Sequence, residues 1–567
     1  VQIGNVGRTD WTSALQAATL ALTINNRGGD FSPKNTAGAH YPFITRNTQI
    51  RVSVSATSVT GVSSSLPLNA NTGFETNVAN WTAANSATIA QSAAQAHTGS
   101  GSMSLHGNGT VASPQAGSEK EPVTPGLPYT ATAWYFNASV WASGVITQIN
   151  WYDASSSFIS NSFTVLGSLP GAAWTQVTVT GTAPSNAAFA NVNAIISGTP
   201  AAGNIFFVDD ASITPVQNLR FWGEVNTWPP AWDVSGRDVW CDIAAAGIWH
   251  RMSQLATSLG SAYTRYNSLT LTGSSQPRAY WPMEDGTGSG QLVSFDSVAG
   301  TANAVQSFVT GQAGLSLAAC TDFKGSDAIP QLNAAKITAT VPAGGTATNN
   351  VTRFLISVPA AGDSASGTTN WNLAEIDSAG TIAKFEVYLN ATGTLLVQLR
   401  NSGGTVVASG TTTTNVKGRP VLASCELTPS GSNVAFAFRI ITPGAAGITE
   451  SMTGTVTTAS VGAISTVTFG RANVLMDTAV GHLKVIYGAV PLMVPEAYAL
   501  GGYVGEFAQD RFTRICGEMG ITAETTGTAS ASAAMGPQVD DTLTNVLQSV
   551  EDTDLGLLFE SRTQFGL

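Results

Sequence analysis

Charge is what this chain has least of. Only 10% of its 567 residues are Asp, Glu, Lys or Arg, against the ~25% usual in globular domains. The 24 bases are outnumbered by 35 acids, for a formal net charge of −11. A surface that grips phosphates needs the opposite sign, so no nucleic-acid partner is expected. Cysteine is also scarce. Cys241, Cys320, Cys425 and Cys516 lie far apart without CxxC spacing; four buried free thiols is the simplest reading, ahead of zinc or disulfides. The five histidines (His40, His97, His106, His250, His482) show neither HExxH nor triad-like spacing, which argues against metal-assisted and nucleophilic chemistry. A membrane-spanning run is missing too: the most apolar long stretch, 482–500, contains Lys484, Pro491, Pro495 and Glu496. The chain opens at Val1 with neither Met nor a basic-then-apolar leader, and reads as an excerpt of a longer polypeptide.

Hydrophobic residues and tryptophan are not scarce. At 43% hydrophobics with thirteen Trp, the chain can bury enough apolar surface to fold, and its length calls for several domains. Residues 1–61 hold period-2 stretches, ATLALTI (18–24) and QIRVSVS (49–55), around the turn-rich NNRGGDFSPKN (25–35). Residues 62–216 become rich in Ala, Ser and Thr, with short strand candidates such as VITQINWYD (145–153) and NIFFVDDASI (204–213). Aromatic density rises over 217–276, where six of the thirteen Trp fall between 222 and 281. There VWCDIAAAGIWHRMSQLATSL (239–259) places Ile243, Gly247, Ile248, Met252 and Leu255 on one stripe, which predicts an amphipathic helix. Strand texture returns over about 277–495. The tail turns helical: EAYALGGYVGEFAQDRFTRICGEMGI stops at Gly520, and Asp540–Asp541 are placed to cap DDTLTNVLQSVED. LGLLFESR (555–562) then reads as a strand.

The pattern predicts a multidomain, mainly β protein: a split α+β hub domain (1–65, 217–276, 496–567) interrupted by two inserted β-sandwich (jelly-roll) domains, at 66–216 and 277–495. Several stretches carry a resemblance. NNRGGDFSPKNTAGAHYPFITRNTQIRV, FWGEVNTWPPAWDVSG, AYWPMED, and GYVGEFAQDRFTRICGEMGI with MGPQVDDTLTNVLQSVEDTDLGLLFESR stand in order over about 200 residues. Together they resemble minor tail proteins, the tail-tip hub components of long-tailed phages infecting actinobacteria. NANTGFETNVANW (69–81), HTGSGSMSL (97–105), VTPGLPYTATAW (123–134) and FFVDDASI (206–213) resemble a carbohydrate-binding-module jelly roll. Residues 277–495 resemble a laminin-G/concanavalin-like sandwich, at AYWPMED and FGRANVLMDTAVGHLKVIYG. The resemblance implies a virion protein at the tail tip, a homo-oligomeric ring, a distal tail ring and a tape-measure protein as partners, and chain ends that continue beyond those given.

Binding of host cell-envelope glycans would need exposed aromatic planes with flanking polar groups. Trp81, Trp141, Trp151, Tyr152 and Trp174 are the candidates, near Asn150, Asp153 and Gln176; the competing reading is that Trp in a β-sandwich is core. Alternation sends Trp151 and Tyr152 to opposite faces. The jelly-roll resemblance also implies a structural calcium on Glu75 and Asp209, with backbone carbonyls.

Two acidic motifs look catalytic and fail on spacing. Glu375 and Asp377 begin an ExDxxE-like strand, but Ala379 and Gly380 stand where the second Glu would fall, and Glu386 lies on the next strand. Glu284 and Asp285 are neighbours and point opposite ways, so the pair is expected to face solvent or hold a turn at a domain seam. No enzyme is expected. The leading reading is a structural and adhesive tail-tip component. Its rivals are a secreted glycoside hydrolase with accessory binding modules, or sandwiches that only space the tip.

Overall fold

In the computed structural model, described for residues 2–4, 15–54, 62–63, 67–295, 301–344, 349–363, 370–561 and 565–567, antiparallel sheets dominate, as the sequence pattern predicts. The expected boundary at 65/66 lies outside the described residues. Packing divides the chain into two compact units, 1–251 with 559–567, and 252–558.

In the first unit, two sheets form a sandwich. One orders the strands Phe158–Leu166, Val145–Tyr152, Phe189–Ile196, Gln115–Ser118 and Trp81–Ala84, with Glu121–Pro122 beside Phe189–Ile196. The facing sheet contains Thr88–Ser92, Ser102–His106, Pro128–Asn137, Thr175–Thr182 and the first half of Phe206–Thr227. Strict alternation packs Val145, Ile149 and Trp151 against Tyr135, Phe206 and Val208 in the core. The 22-residue strand Phe206–Thr227 does not stop at the sandwich edge. Its second half pairs with Thr48–Val54 and Val239–Ala246, which in turn pairs with Thr19–Asn25. One continuous backbone ladder therefore joins the sandwich to the sheet built from the chain's first residues.

The first part of the helix predicted over 239–259 is a strand, Val239–Ala246. Cys241, Ile243 and Ala245 are buried on one face while Asp242 and Ala244 are exposed, and pairing with Thr19–Asn25 on one edge and with Pro230–Trp232 and Phe206–Thr227 on the other takes up backbone groups that a helix would have satisfied internally. Only Ile248–Ser253 is helical.

The second unit is layered. A seven-stranded sheet, from Val305–Phe308 through Ile464–Gly470, Trp371–Ser378 and Ile382–Leu389 to Val406–Thr411, faces an eight-stranded sheet centred on Met476–Ile486 and Asn350–Ser357. AYWPMED opens this sandwich: Ala279–Trp281 pairs with Met476–Ile486, and Trp281 is fully buried between the sheets. The other side of the eight-stranded sheet is covered by the helices Ala262–Arg265 and Met493–Leu500. There Tyr263, Tyr266, Ala497 and Leu500 pack on Leu355, Leu422 and Ile441. Buried charges cross this layer. Glu496 pairs with Arg353 and, at 2.7 Å, with Lys484, whose Nζ also donates to Asn267 at 2.5 Å.

The expectation for Glu284 is corrected here. It is nearly buried, accepting from Thr264 Oγ1 (2.7 Å), Ser326 Oγ (3.0 Å) and Asp327 N (2.7 Å), with His482 Nε2 at 3.1 Å. The hydroxyls of the preceding helix and the loop at 326 claim it before water can. Asp285 behaves as expected and holds a turn through Val293 N. In the tail, the cap of Leu543–Asp554 is Thr542, while Asp541 instead accepts from the Asn545 side chain. Gly520 closes Ala508–Glu518 at φ 65°. The described part of 555–562 carries no strand, since no neighbouring strand pairs it. All four cysteines are unpaired, three buried and Cys320 half-buried. Among the described residues, no helix is long and apolar enough to cross a membrane.

Candidate functional site

The outward face of the first sandwich's six-stranded sheet has an unusual composition. On Val145–Tyr152 the residues alternating with the core are Ile146, Gln148, Asn150 and Tyr152. Register sets Gln148 beside Asn193 and Phe163, and Asn150 beside Asn191 and Asn161. The next strand places Gly117 opposite Asn193. A Cβ there would stand 2.3 Å from Asn193 Oδ1 and 3.0 Å from Asn191 Nδ2, so glycine is what lets these amides lie flat on the sheet.

The amides hold one another. Gln148 Nε2 donates to Asn150 Oδ1 (2.5 Å) and Asn193 Nδ2 to Asn191 Oδ1 (3.0 Å), while Asn191 Nδ2 donates to Ser118 O (3.0 Å). Tyr152 Oη joins the group through Asn191 Oδ1 at 3.3 Å and Asn150 Nδ2 at 3.4 Å. Asn191 and Asn193 are only 8% and 6% exposed although they face outward, packed among their own hydrogen-bond partners. Large apolar side chains flank the group. Phe163 and Phe158 are more than half exposed, the Phe158 ring meets Tyr152 edge-on at 6.1 Å, and Lys120 Nζ sits 3.9 Å over the Tyr152 ring. Amides both donate and accept, which matches the hydroxyls of a sugar, and the aromatic rims offer planes for its C–H faces.

Of the five predicted aromatics, only Tyr152 belongs to this face. Trp151 is core, 1% exposed, with Nε1 on Ser162 Oγ (3.2 Å). Trp81 is also core, edge-on to Phe74 with Nε1 on Asn71 O. Both expectations are corrected: a buried indole presents no plane to a ligand. Trp141 is half-buried against Phe206 and donates to Ser197 O at 3.0 Å. Trp174 lies on the opposite sheet's side, edge-on to His97 at 5.8 Å, while His97 itself stacks on Trp134 at 3.7 Å. Gln148, Phe163, Asn191 and Asn193 were missed. Their signal was present as polar residues two apart, QIN and NVN, inside strand-like runs.

Glu75 and Asp209 do come to one corner. Glu75 Oε2 accepts from Ser100 N (2.8 Å), and fully buried Asp209 accepts from His97 N (2.8 Å) and Asp210 N (2.8 Å). Burial pushes the Asp209 carboxyl above its ordinary value, against those N–H donors. Around Gly73, a Cβ would stand 3.7 Å from Glu75 Oε1, 3.8 Å from Asp210 Oδ1 and 4.0 Å from Asp209 Oδ1. These oxygens are of the type a hard cation takes, yet among the described residues no three acidic, His or Cys side chains are gathered closely enough to hold a metal.

On the second sandwich, Glu386 lies on the next strand as expected, and the register sets it directly across from Glu375. Each carboxylate has its own cation, Lys384 for Glu375 and Arg400 for Glu386 (2.6 Å).

No family model matches the chain, and no curated protein does. Among solved structures it is similar to the C-terminal family 22 carbohydrate-binding module of a Clostridium thermocellum protein (19% identity, 26% of this chain and 94% of that one, TM-score 0.21). It is also similar to a xylan-binding domain from Paenibacillus barcinonensis (13% identity, 25% and 91%, TM-score 0.20). A third likeness is to the enzymatically active domain of a bacteriophage CBA120 tailspike protein (14% identity, 26% and 21%, TM-score 0.23). At such TM-scores these likenesses say nothing of a ligand.

Proposed function

We propose that this protein binds cell-envelope glycans through the amide-lined face of its first sandwich, as an adhesive and structural component of a phage tail tip. The single observation that carries the binding reading is the hydrogen-bonded Gln148–Asn150–Asn191–Asn193 group on one sheet face, with Tyr152 and Phe163 at its rim. The tail-tip setting rests on the sequence resemblance, as do the ring, the distal tail ring and tape-measure partners, and a virion location. Copies repeated around a ring would turn weak single contacts into avidity. The same resemblance proposes calcium on Glu75 and Asp209; a chelator should then lower the melting temperature of wild type and leave Glu75→Ala unchanged, and an unmoved wild type contradicts the metal.

Binding without cleavage is the proposed mode. One observation favours the hydrolase alternative: the facing pair Glu375 and Glu386, at the Cβ separation of about 4.5–5.5 Å that directly opposed strand residues have. Reducing-sugar release by the full chain, lost in Glu375→Gln and in Glu386→Gln, would establish it. For the adhesive reading, full-length protein is applied to immobilised actinobacterial envelope polysaccharides. Retention should fall roughly tenfold or more in Asn150→Ala/Asn191→Ala, the worth of one or two lost hydrogen bonds. Equal retention of wild type and variant contradicts it, and no retention of either leaves the sandwiches as spacers.

A further inference from the structure

We propose that a cavity beside the helix Leu543–Asp554, lined by none of the residues of the amide face, binds a small uncharged polyol the size of one sugar ring. The cavity measures about 230 Å³. A single water needs only about 10–15 Å³ on that measure, and drug-sized ligands occupy about 300–1,000 Å³, so the space suits a single ring.

Its polar wall is built at helical spacing. Asn545, Ser549 and Thr553 recur every fourth residue along one side of the helix, Asp541 stands just before its cap Thr542, and all four line the cavity. Their protons are largely spent locally. Asn545 Nδ2 donates to Asp541 Oδ1 (2.8 Å), Ser549 Oγ to Val546 O (2.7 Å) and Thr553 Oγ1 to Ser549 O (2.7 Å). What remains toward a ligand is mostly acceptors: the Asn545 carbonyl, two hydroxyl oxygens and the second Asp541 oxygen. A molecule that fills this wall must bring donors.

The facing wall supplies the complement. Gln538 is 4% exposed; its Oε1 accepts from Arg514 Nη2 at 2.7 Å, and its Nε2 is buried with no partner. A buried donor left unpaired is costly, and turning the Gln538 amide toward the cavity, where a ligand oxygen can accept from it, would relieve that cost. Anions are disfavoured. The cation lining the cavity, Arg511, is engaged by Glu506 Oε2 (3.0 Å), Tyr503 O (3.1 Å) and Gly536 O (2.8 Å), and Asp541 adds negative charge. Met535, Pro537 and Val546 give an apolar side for C–H groups. Several donors, one acceptor and an apolar face together describe a hydroxylated ring.

The test is ligand-observed NMR on the full-length chain with a panel of monosaccharides, inositol and glycerol, and with methylammonium and sulfate as charged probes. At least one polyol is expected to bind at millimolar concentration, and Ser549→Leu, which fills the cavity, should weaken it at least about tenfold, the worth of one or two hydrogen bonds. Gln538→Leu should weaken it similarly while moving the melting temperature little, because the orphaned donor is removed together with the oxygen that Arg514 Nη2 donates to, and Arg514 Nη2 keeps Glu506 Oε2 at 2.8 Å. Asn150→Ala/Asn191→Ala should leave this binding untouched, which separates it from the sandwich face. Thr553→Val serves if Ser549→Leu does not fold. The proposal is overturned if no polyol binds, if binding survives these cavity variants, or if methylammonium or sulfate binds there in place of the polyols.

Discussion

At Glu284 two effects oppose each other. Burial would raise the carboxyl, but the charge and hydrogen bond of His482, with hydroxyl donors from Ser261 and Thr264, hold it down at about 2. A folded pKa below the unfolded one contributes stability that is present above the unfolded value of about 4.5 and is lost as pH falls toward 2. Glu284→Gln should therefore cost about 2–3 kcal/mol at pH 7 and much less near pH 2, read by urea unfolding at both. Asp327 works the other way. Burial first, then the charges of Glu284 and Asp540, raise it to about 6. An acid raised in the fold destabilises once ionised, so its penalty appears as pH rises from about 4 through 6. Asp327→Asn should stabilise by about 1 kcal/mol at pH 7, discounted because the group is partly exposed, and by nothing near pH 3. A destabilised variant at pH 7 would contradict this.

Elements are tied together by residues that local sequence patterns do not flag. Glu496 lies on Met493–Leu500, a helix that the tail's apolar spacing predicted, but its partners Arg353 and Lys484 come from two strands more than a hundred residues apart. Removing it leaves two buried cations without their carboxylate. Glu496→Ala should cost about 3–5 kcal/mol in chemical denaturation, and a loss under 1 kcal/mol would mean water reaches that layer. The strand at 239–246 teaches the same lesson. CDIAAA fits a helical stripe and a two-residue alternation equally well, and partners from residues 19–25 and 224–227, not local propensity, decide for the sheet. AYWPMED was legible as the start of a strand because a Pro after two aromatics suits a strand end. Its buried Glu284 was not, since burial there depends on His482 and Ser326, far along the chain.

For the whole molecule, the mainly β, multi-sheet architecture could be read from low charge and evenly spaced strand runs. The site was only partly readable. Alternation separated Trp151 from Tyr152, but tryptophan drew attention to the core while the outward-facing amides, individually unremarkable, become a surface only when two strands align them. The strand Phe206–Thr227 carries that surface's sandwich on a ladder shared with the sheet of the chain's first residues, so the face is held on rigid backbone within its unit. Hydrogen–deuterium exchange on the full-length chain, with and without a retained envelope polysaccharide, tests the central claim most directly. Added glycan should slow exchange at 145–152, 158–166 and 189–196, and Asn150→Ala/Asn191→Ala should abolish that protection. Protection confined to the Trp174 side of the sandwich, or found nowhere in 67–216, would contradict it.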